Sequence, residues 1–169
     1  MGMSSSYEDL GVVAQLHVAI EETRVNRNNP LWMWLARFGL CLAFLYSGVS
    51  KLLDFPAALA EQAHFGLNPP ALFAVATITV QLGGSLLVLF GRGWHRALGA
   101  LGLAGFTIVA TVIGHAFWTM TGMERFHNLN SFLEHAGLVG GFVIVALLAL
   151  DEPARSHSPA AARSSPAAG

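Results

Sequence analysis

The sequence predicts an all-α membrane protein, a bundle of four transmembrane helices with polar N- and C-terminal tails. Three observations carry that expectation. Of the 169 residues, 54% are hydrophobic and only 11% are charged, whereas a water-soluble domain of this size carries about a quarter charged residues. The charges are also uneven: ten of the nineteen fall in segments 1–30 and 151–169, and nine in the 120 residues between them. That central stretch divides into four apolar runs, each near the length of about twenty helical residues needed to cross a bilayer.

Composition also narrows the functions open to the chain. A net charge of -1 with no basic run argues against nucleic acid as a partner. The single cysteine, Cys41, lies inside an apolar run, so neither an intrachain disulfide nor a CxxC redox mechanism is available. The sequence has no Gly-rich phosphate loop, no nucleophile motif and no carboxylates paired at catalytic spacing. A self-sufficient enzyme is therefore not expected.

The N-terminal segment, 1–30, opens with MGMSSSYEDL. It lacks the basic start and short apolar core of a cleaved signal peptide, so insertion without cleavage is expected. Within residues 7–24, Leu10, Val13, Leu16 and Ile20 recur at helical spacing, which suits a helix lying on the membrane surface, with an unstructured tail as the alternative. The membrane domain, 31–150, begins with a span at about 31–52 whose start is marked by Asn29 as cap and Pro30 at the first helical position. The second span covers about 70–90. The third, about 97–118, contains GALGLAG from Gly99 to Gly105, small residues that let a neighbouring helix approach closely. The fourth covers about 129–150. Residues 151–169 are built from Pro, Ala and Ser without a periodic apolar face and read as a disordered tail. Short connections between spans imply a compact bundle.

Orientation follows from Lys and Arg near the span ends. One side has Arg24, Arg27, Arg92, Arg96, Arg155 and Arg163, against Lys51 and Arg125 on the other. This places both termini in the cytoplasm, in a bacterial-type inner membrane. Lys51, Asp54, His64, Arg125 and His127 then lie on the outer side.

Polar residues inside the spans need a partner or a water-filled cavity. Arg37, Cys41, Gly48 and Lys51 share one face of the first span; Thr77, Gln81 and Ser85 share one on the second. The third offers Thr107, Thr111 and His115, and the fourth Ser131, Glu134 and His135. At about 1.5 Å per residue, Arg37 and Gln81 come out near mid-membrane as a polar layer. Lys51, His115, Glu134 and His135 come out near the outer face beside Asp54, a candidate polar pocket. Within it Lys51 is expected to pair with Glu134, with Asp54 as competitor, because an unpaired buried charge is costly.

Each of these residues also has a plainer explanation. Arg37 is close enough to its span's start to snorkel, and Lys51 with Asp54 would serve as an interfacial anchor. His115, a turn before Trp118, suits an aromatic belt, and the threonines would bond their own helix or cross an interface. Although His115, His127 and His135 all lie toward the outer end, their spacing matches no ligand motif, so no metal is expected.

The chain resembles the DoxX family of small four-helix membrane proteins across about residues 31–150. The resemblance rests on Arg37, SGVSKLLDF from Ser47 to Phe55, QLGGSLLVLFG from Gln81 to Gly91 followed by a basic loop, GHAFW from Gly114 to Trp118, and LVGG from Leu138 to Gly141. Two positions depart from the pattern: relatives commonly have glutamate at Gln81, and lysine-asparagine at Glu134-His135. The resemblance implies a redox neighbourhood, since the family is named for a small subunit associated with quinone-linked oxidoreductases and some relatives are linked to oxidative-stress complexes. The leading expectation is an accessory subunit presenting a polar pocket to a quinone headgroup or to a partner oxidoreductase, with no intrinsic cofactor. His115 or Lys51 would then donate to a headgroup carbonyl, and Glu134 or His135 would carry its proton. The alternatives are a small transporter or channel whose polar stripes line a pathway, and an assembly scaffold without chemistry. Besides the lipid bilayer, a membrane oxidoreductase or further copies of the chain are the partners these readings imply.

Overall fold

The computed structural model of the protein describes residues 30–151, together with Gln15. The segment at 7–24 (Gln15 apart), Asn29, Arg27, Arg155, Arg163 and the tail beyond Asp151 lie outside the described residues. Among the described residues there are five α-helices and no strand: α1 Pro30–Leu53, α2 Phe55–His64, α3 Pro70–Phe90, α4 Trp94–Gly114 and α5 Gly122–Leu150. Four of them, α1, α3, α4 and α5, are long and apolar enough to cross a membrane. The protein is a four-span helical membrane protein. The short connections make successive spans antiparallel. Pro30, Phe90, Trp94 and Leu150 therefore share one end, called here the terminal end, and Leu53, Pro70, Gly114 and Gly122 the far end.

The spans pack in chain order, α1 on α3, α3 on α4, α4 on α5, and α5 closes more lightly onto α1. The α3–α4 contact brings backbone against backbone, and glycine makes it possible. A Cβ placed on Gly99 would stand 2.7 Å from the Gly84 carbonyl oxygen and 2.6 Å from Leu87 Cβ, so no side chain fits there. Gly102 and Gly105, in the same small-residue run, face open space. Hence only the first glycine of GALGLAG acts as expected from the sequence. At mid-bundle Phe44 meets Phe106 and Phe142 edge-on, with centroids 6.3 and 5.4 Å apart. The outward faces carry large apolar residues such as Leu86, Ile108 and Ile144, as lipid contact requires.

Three features of the far end depart from the sequence reading. Between the first two spans, where no element was expected, lies α2. Its start is fixed by Asp54, whose Oδ1 accepts the Ala57 N–H at 3.0 Å, with Pro56 in the first turn. Its buried residues are Ala58 and Gln62. Secondly, α4 stops at Gly114 instead of continuing to Trp118. A single 3₁₀ turn, Phe117–Thr119, follows, and its aromatic rings Phe117 and Trp118 swing onto Phe132 of α5 at 5.3 and 6.3 Å. Thirdly, α5 begins at Gly122 (φ 59°), seven residues before the expected Leu129. Its 29 residues span about 43 Å, against about 30 Å of hydrocarbon, so it is longer than an upright crossing requires.

Candidate functional site at the far end of the bundle

Counting outward from the Phe44, Phe106 and Phe142 contact at 1.5 Å per residue, Lys51, His115 and His135 all lie about 10 to 14 Å toward the far end. They share a level, yet they form two clusters.

The first joins α1, α2 and α3. Lys51 is pointed inward by its place on the Cys41–Gly48 face of α1, and its side chain is 14% exposed. Its Nζ donates to Ser47 Oγ at 3.0 Å and pairs with Glu61 Oε2 of α2 at 2.9 Å. Ser47 Oγ also accepts from Gln81 Nε2 of α3 at 3.3 Å. The expected pairing of Lys51 with Glu134 is therefore corrected. Glu61, on a helix absent from the sequence reading, lies one short turn of chain away, whereas Glu134 is exposed on α5. Asp54 does not pair with Lys51 either, because its carboxylate caps α2. The expected mid-membrane layer of Arg37 and Gln81 is corrected as well: Gln81 packs on Gly48 beside Ser47, about 15 Å along α1 from Arg37. Arg37 instead sits one turn from Cys41, half-buried.

The second cluster joins α4 and α5. The His115 and His135 rings face each other with centroids 5.0 Å apart and planes at 31°. Asn128 Nδ2 donates to the Glu124 carbonyl at 3.0 Å, which turns its Oδ1 toward His115 Nδ1, 2.9 Å away. That oxygen can only accept, so His115 carries its proton on Nδ1 and presents the Nε2 lone pair. His135 Nδ1 is buried without a hydrogen-bond partner. Glu134 lies next to this pair in sequence and close enough to act on His135 electrostatically. His127 and His64 are exposed, with their rings edge-on to Phe126 and Phe65. Among the described residues no group of three or more His, Cys, Asp or Glu is placed to hold a metal. The threonines behave as local helix partners: Thr107 Oγ1 donates to Leu103 O and Thr111 Oγ1 to Thr107 O, at 2.7 and 2.6 Å.

Lys51, Gln81, His115 and His135 were singled out from sequence; Ser47, Glu61 and Asn128 were not. Ser47 could have been found, since it stands four residues before Lys51 on the same stripe. Asn128 and Glu61 carry no comparable signal, because their roles depend on the early start of α5 and on α2.

The DoxX family model matches residues 32–116, half of the chain, from the first turn of α1 to just past the end of α4. The chain belongs to the DoxX family. It is also similar to the inner membrane protein YphA of Escherichia coli (strain K12), 27% identical over 118 residues, which cover 70% of this chain and 83% of that one. No solved structure matches it. In DoxX terms the two clusters differ in origin. Ser47, Lys51, Glu61 and Gln81 lie within the matched region, while His115 sits at its edge and Asn128, Glu134 and His135 lie beyond it.

Proposed function

We propose that this DoxX protein is an accessory membrane subunit of a quinone-linked oxidoreductase, with the headgroup site at the far ends of α4 and α5. The observation that supports this reading is the contact of His115 Nδ1 with Asn128 Oδ1 at 2.9 Å, which leaves Nε2 as the acceptor, in a pair of imidazole rings with centroids 5.0 Å apart. Such a nitrogen accepts a hydrogen bond from the hydroxyl of a reduced headgroup and can take up its proton, while Asn128 Oδ1 stabilises the imidazolium by accepting from Nδ1. Phe117 and Phe132, in edge contact with each other and two and three residues along the chain from His115 and His135, supply an apolar wall. When bound, a quinone would supply the redox chemistry; this chain's part is to orient it and to hold the proton.

The test is binding of a short-chain, water-soluble quinol to the purified protein. His115→Leu should weaken it by about tenfold or more, the loss of a hydrogen bond to a charged or charging group. Unchanged affinity would remove His115 from the reading. Purification from native membranes should bring down an oxidoreductase partner; recovery of the chain alone, or only with further copies of itself, would remove the accessory role.

We further infer that the protein lies in an inner membrane with both termini cytoplasmic, from the Arg92 and Arg96 loop at the terminal end and the inner-membrane relative. A reporter active only in the periplasm, fused to the C-terminus, should give no signal. A strong signal there would reverse the topology.

A further inference from the structure

The α1–α3 interface holds a row of polar atoms that the headgroup site does not use. Starting from the Lys51–Glu61 pair, Ser47 Oγ takes bonds from Lys51 Nζ and Gln81 Nε2. Beyond it the row continues toward mid-membrane through Gln81 Oε1 and Ser85 Oγ, both buried without a hydrogen-bond partner. Their residues are 5% and 0% exposed. Across the interface stands Cys41, also 0% exposed, close enough to Ser85 to interact but not in a geometry that satisfies the hydroxyl. Gln81 and Ser85 are one helical turn apart on one face, about 5 to 6 Å between Cβ atoms. On side chains so placed, one or two water molecules reach both oxygens through hydrogen bonds of about 2.8 Å each. Leaving both oxygens without partners in the bundle interior would cost a few kcal/mol, and buried groups of this kind are commonly met by an internal water with two to four polar partners.

We propose that the α1–α3 interface binds water on Gln81 Oε1 and Ser85 Oγ, and that this water completes a hydrogen-bonded line from the Lys51–Glu61 pair at the far end to the Cys41 thiol. The outer end of the line is in contact with the surroundings through Glu61, 43% exposed. Its inner end lies about 15 Å deeper along α1. Ser47 Oγ accepts from both Lys51 and Gln81, so the side chains alone pass no hydrogen inward. The water itself enters and leaves along this polar row, and at its site it trades a hydrogen with the Ser85 hydroxyl, which trades one with the thiol, with no net charge moved. The thiol hydrogen therefore exchanges with solvent although the thiol is buried.

Cys41 is the single cysteine of the chain, so its S–H stretching band in the infrared reports on this one position. The experiment transfers the full-length protein in detergent to heavy water and follows conversion of S–H to S–D, alongside exchange of backbone amides in the middle of α1. The expected result is thiol conversion well ahead of those amides, slowed by about tenfold or more in Ser85→Ala and in Gln81→Leu, whereas exchange through opening of the helix would affect thiol and amides alike. Melting curves and helical content establish that the variants remain folded. A wild-type thiol that exchanges no faster than the neighbouring amides overturns the proposal without recourse to any variant. So do folded variants whose thiol exchanges at the wild-type rate.

Discussion

The two halves of the bundle are built on different terms. On the terminal side of the Phe44 layer, α3, α4 and α5 meet through small residues: Gly84 against Leu103, Gly99 against the α3 backbone, and Ala97, Ala100, Ala146 and Ala149 at 0 to 3% exposure. All three buried residues of α5, Phe142, Ala146 and Ala149, lie at this layer or beyond it toward the terminal end. On the far side α5 buries none of its residues, and α1 and α3 meet at Gly48 against Leu82 and through the polar Ser47, Lys51 and Gln81. Close backbone approach supplies van der Waals contact, the main attraction between helices in lipid. The far half gives up some of that contact to hold polar groups with unused bonding capacity. The difference teaches where to look for stability and where for chemistry.

The sharpest way to break this comparison is Gly99→Ala. Its new methyl would meet a carbonyl oxygen and a Cβ that cannot turn away, so α3 and α4 must separate, at a cost of about 2 to 3 kcal/mol. Gly102→Ala, three residues along and facing open space, should cost nothing measurable and can stabilise by reducing backbone freedom. Melting in detergent compares the two. Equal effects would show that glycine content, not close approach, sets the terminal half.

The same contrast explains what the sequence reveals. The four spans were legible because about twenty apolar residues per crossing is a requirement of the bilayer itself. The inward placement of Lys51, Gln81, His115 and His135 was legible from periodicity, since polar residues in a span turn away from lipid. Pairing was not. Lys51 and Glu134 share a level in the membrane, but periodicity gives depth and face, not which helix stands beside which. The chosen partner, Glu61, belongs to α2, whose ten residues are too short to span and too mixed to stand out. Likewise the seven added residues of α5, 122–128, include Glu124, Arg125, His127 and Asn128, so a search for apolar length ends before them.

A smaller effect is expected at the Lys51–Glu61 pair. With Lys51 largely buried and Glu61 43% exposed, the pair falls between an exposed one, worth up to about 1 kcal/mol, and a buried one, where removing a partner costs about 3 to 5 kcal/mol. Glu61→Gln should therefore cost about 1 to 2 kcal/mol. In a double-mutant cycle Lys51→Met and Glu61→Gln should be less damaging together than the sum of the singles, while Lys51→Met and Glu134→Gln should add. Coupling to Glu134 in place of Glu61 would return the pair first expected from the sequence and separate α2 from the site.

The smallest expected effect is the most informative about depth. Glu134 is exposed on α5, and its neighbour His135 sits at the level of His115 and Lys51. A carboxylate facing lipid at the bilayer centre costs roughly 2.5 to 3.5 kcal/mol, a penalty that vanishes where headgroups and water reach it. Glu134→Gln removes the charge and keeps the shape, so its effect on stability in lipid nanodiscs reads the surroundings of that position directly. If the far ends of α4 and α5 lie at the membrane boundary, the change should stay within about 0.5 kcal/mol, as for other surface substitutions. A gain in stability of about 1 kcal/mol or more would mean that the carboxylate faces hydrocarbon. His115 and His135 would then lie below the headgroups, and the far half would be a buried polar interior instead of an open mouth.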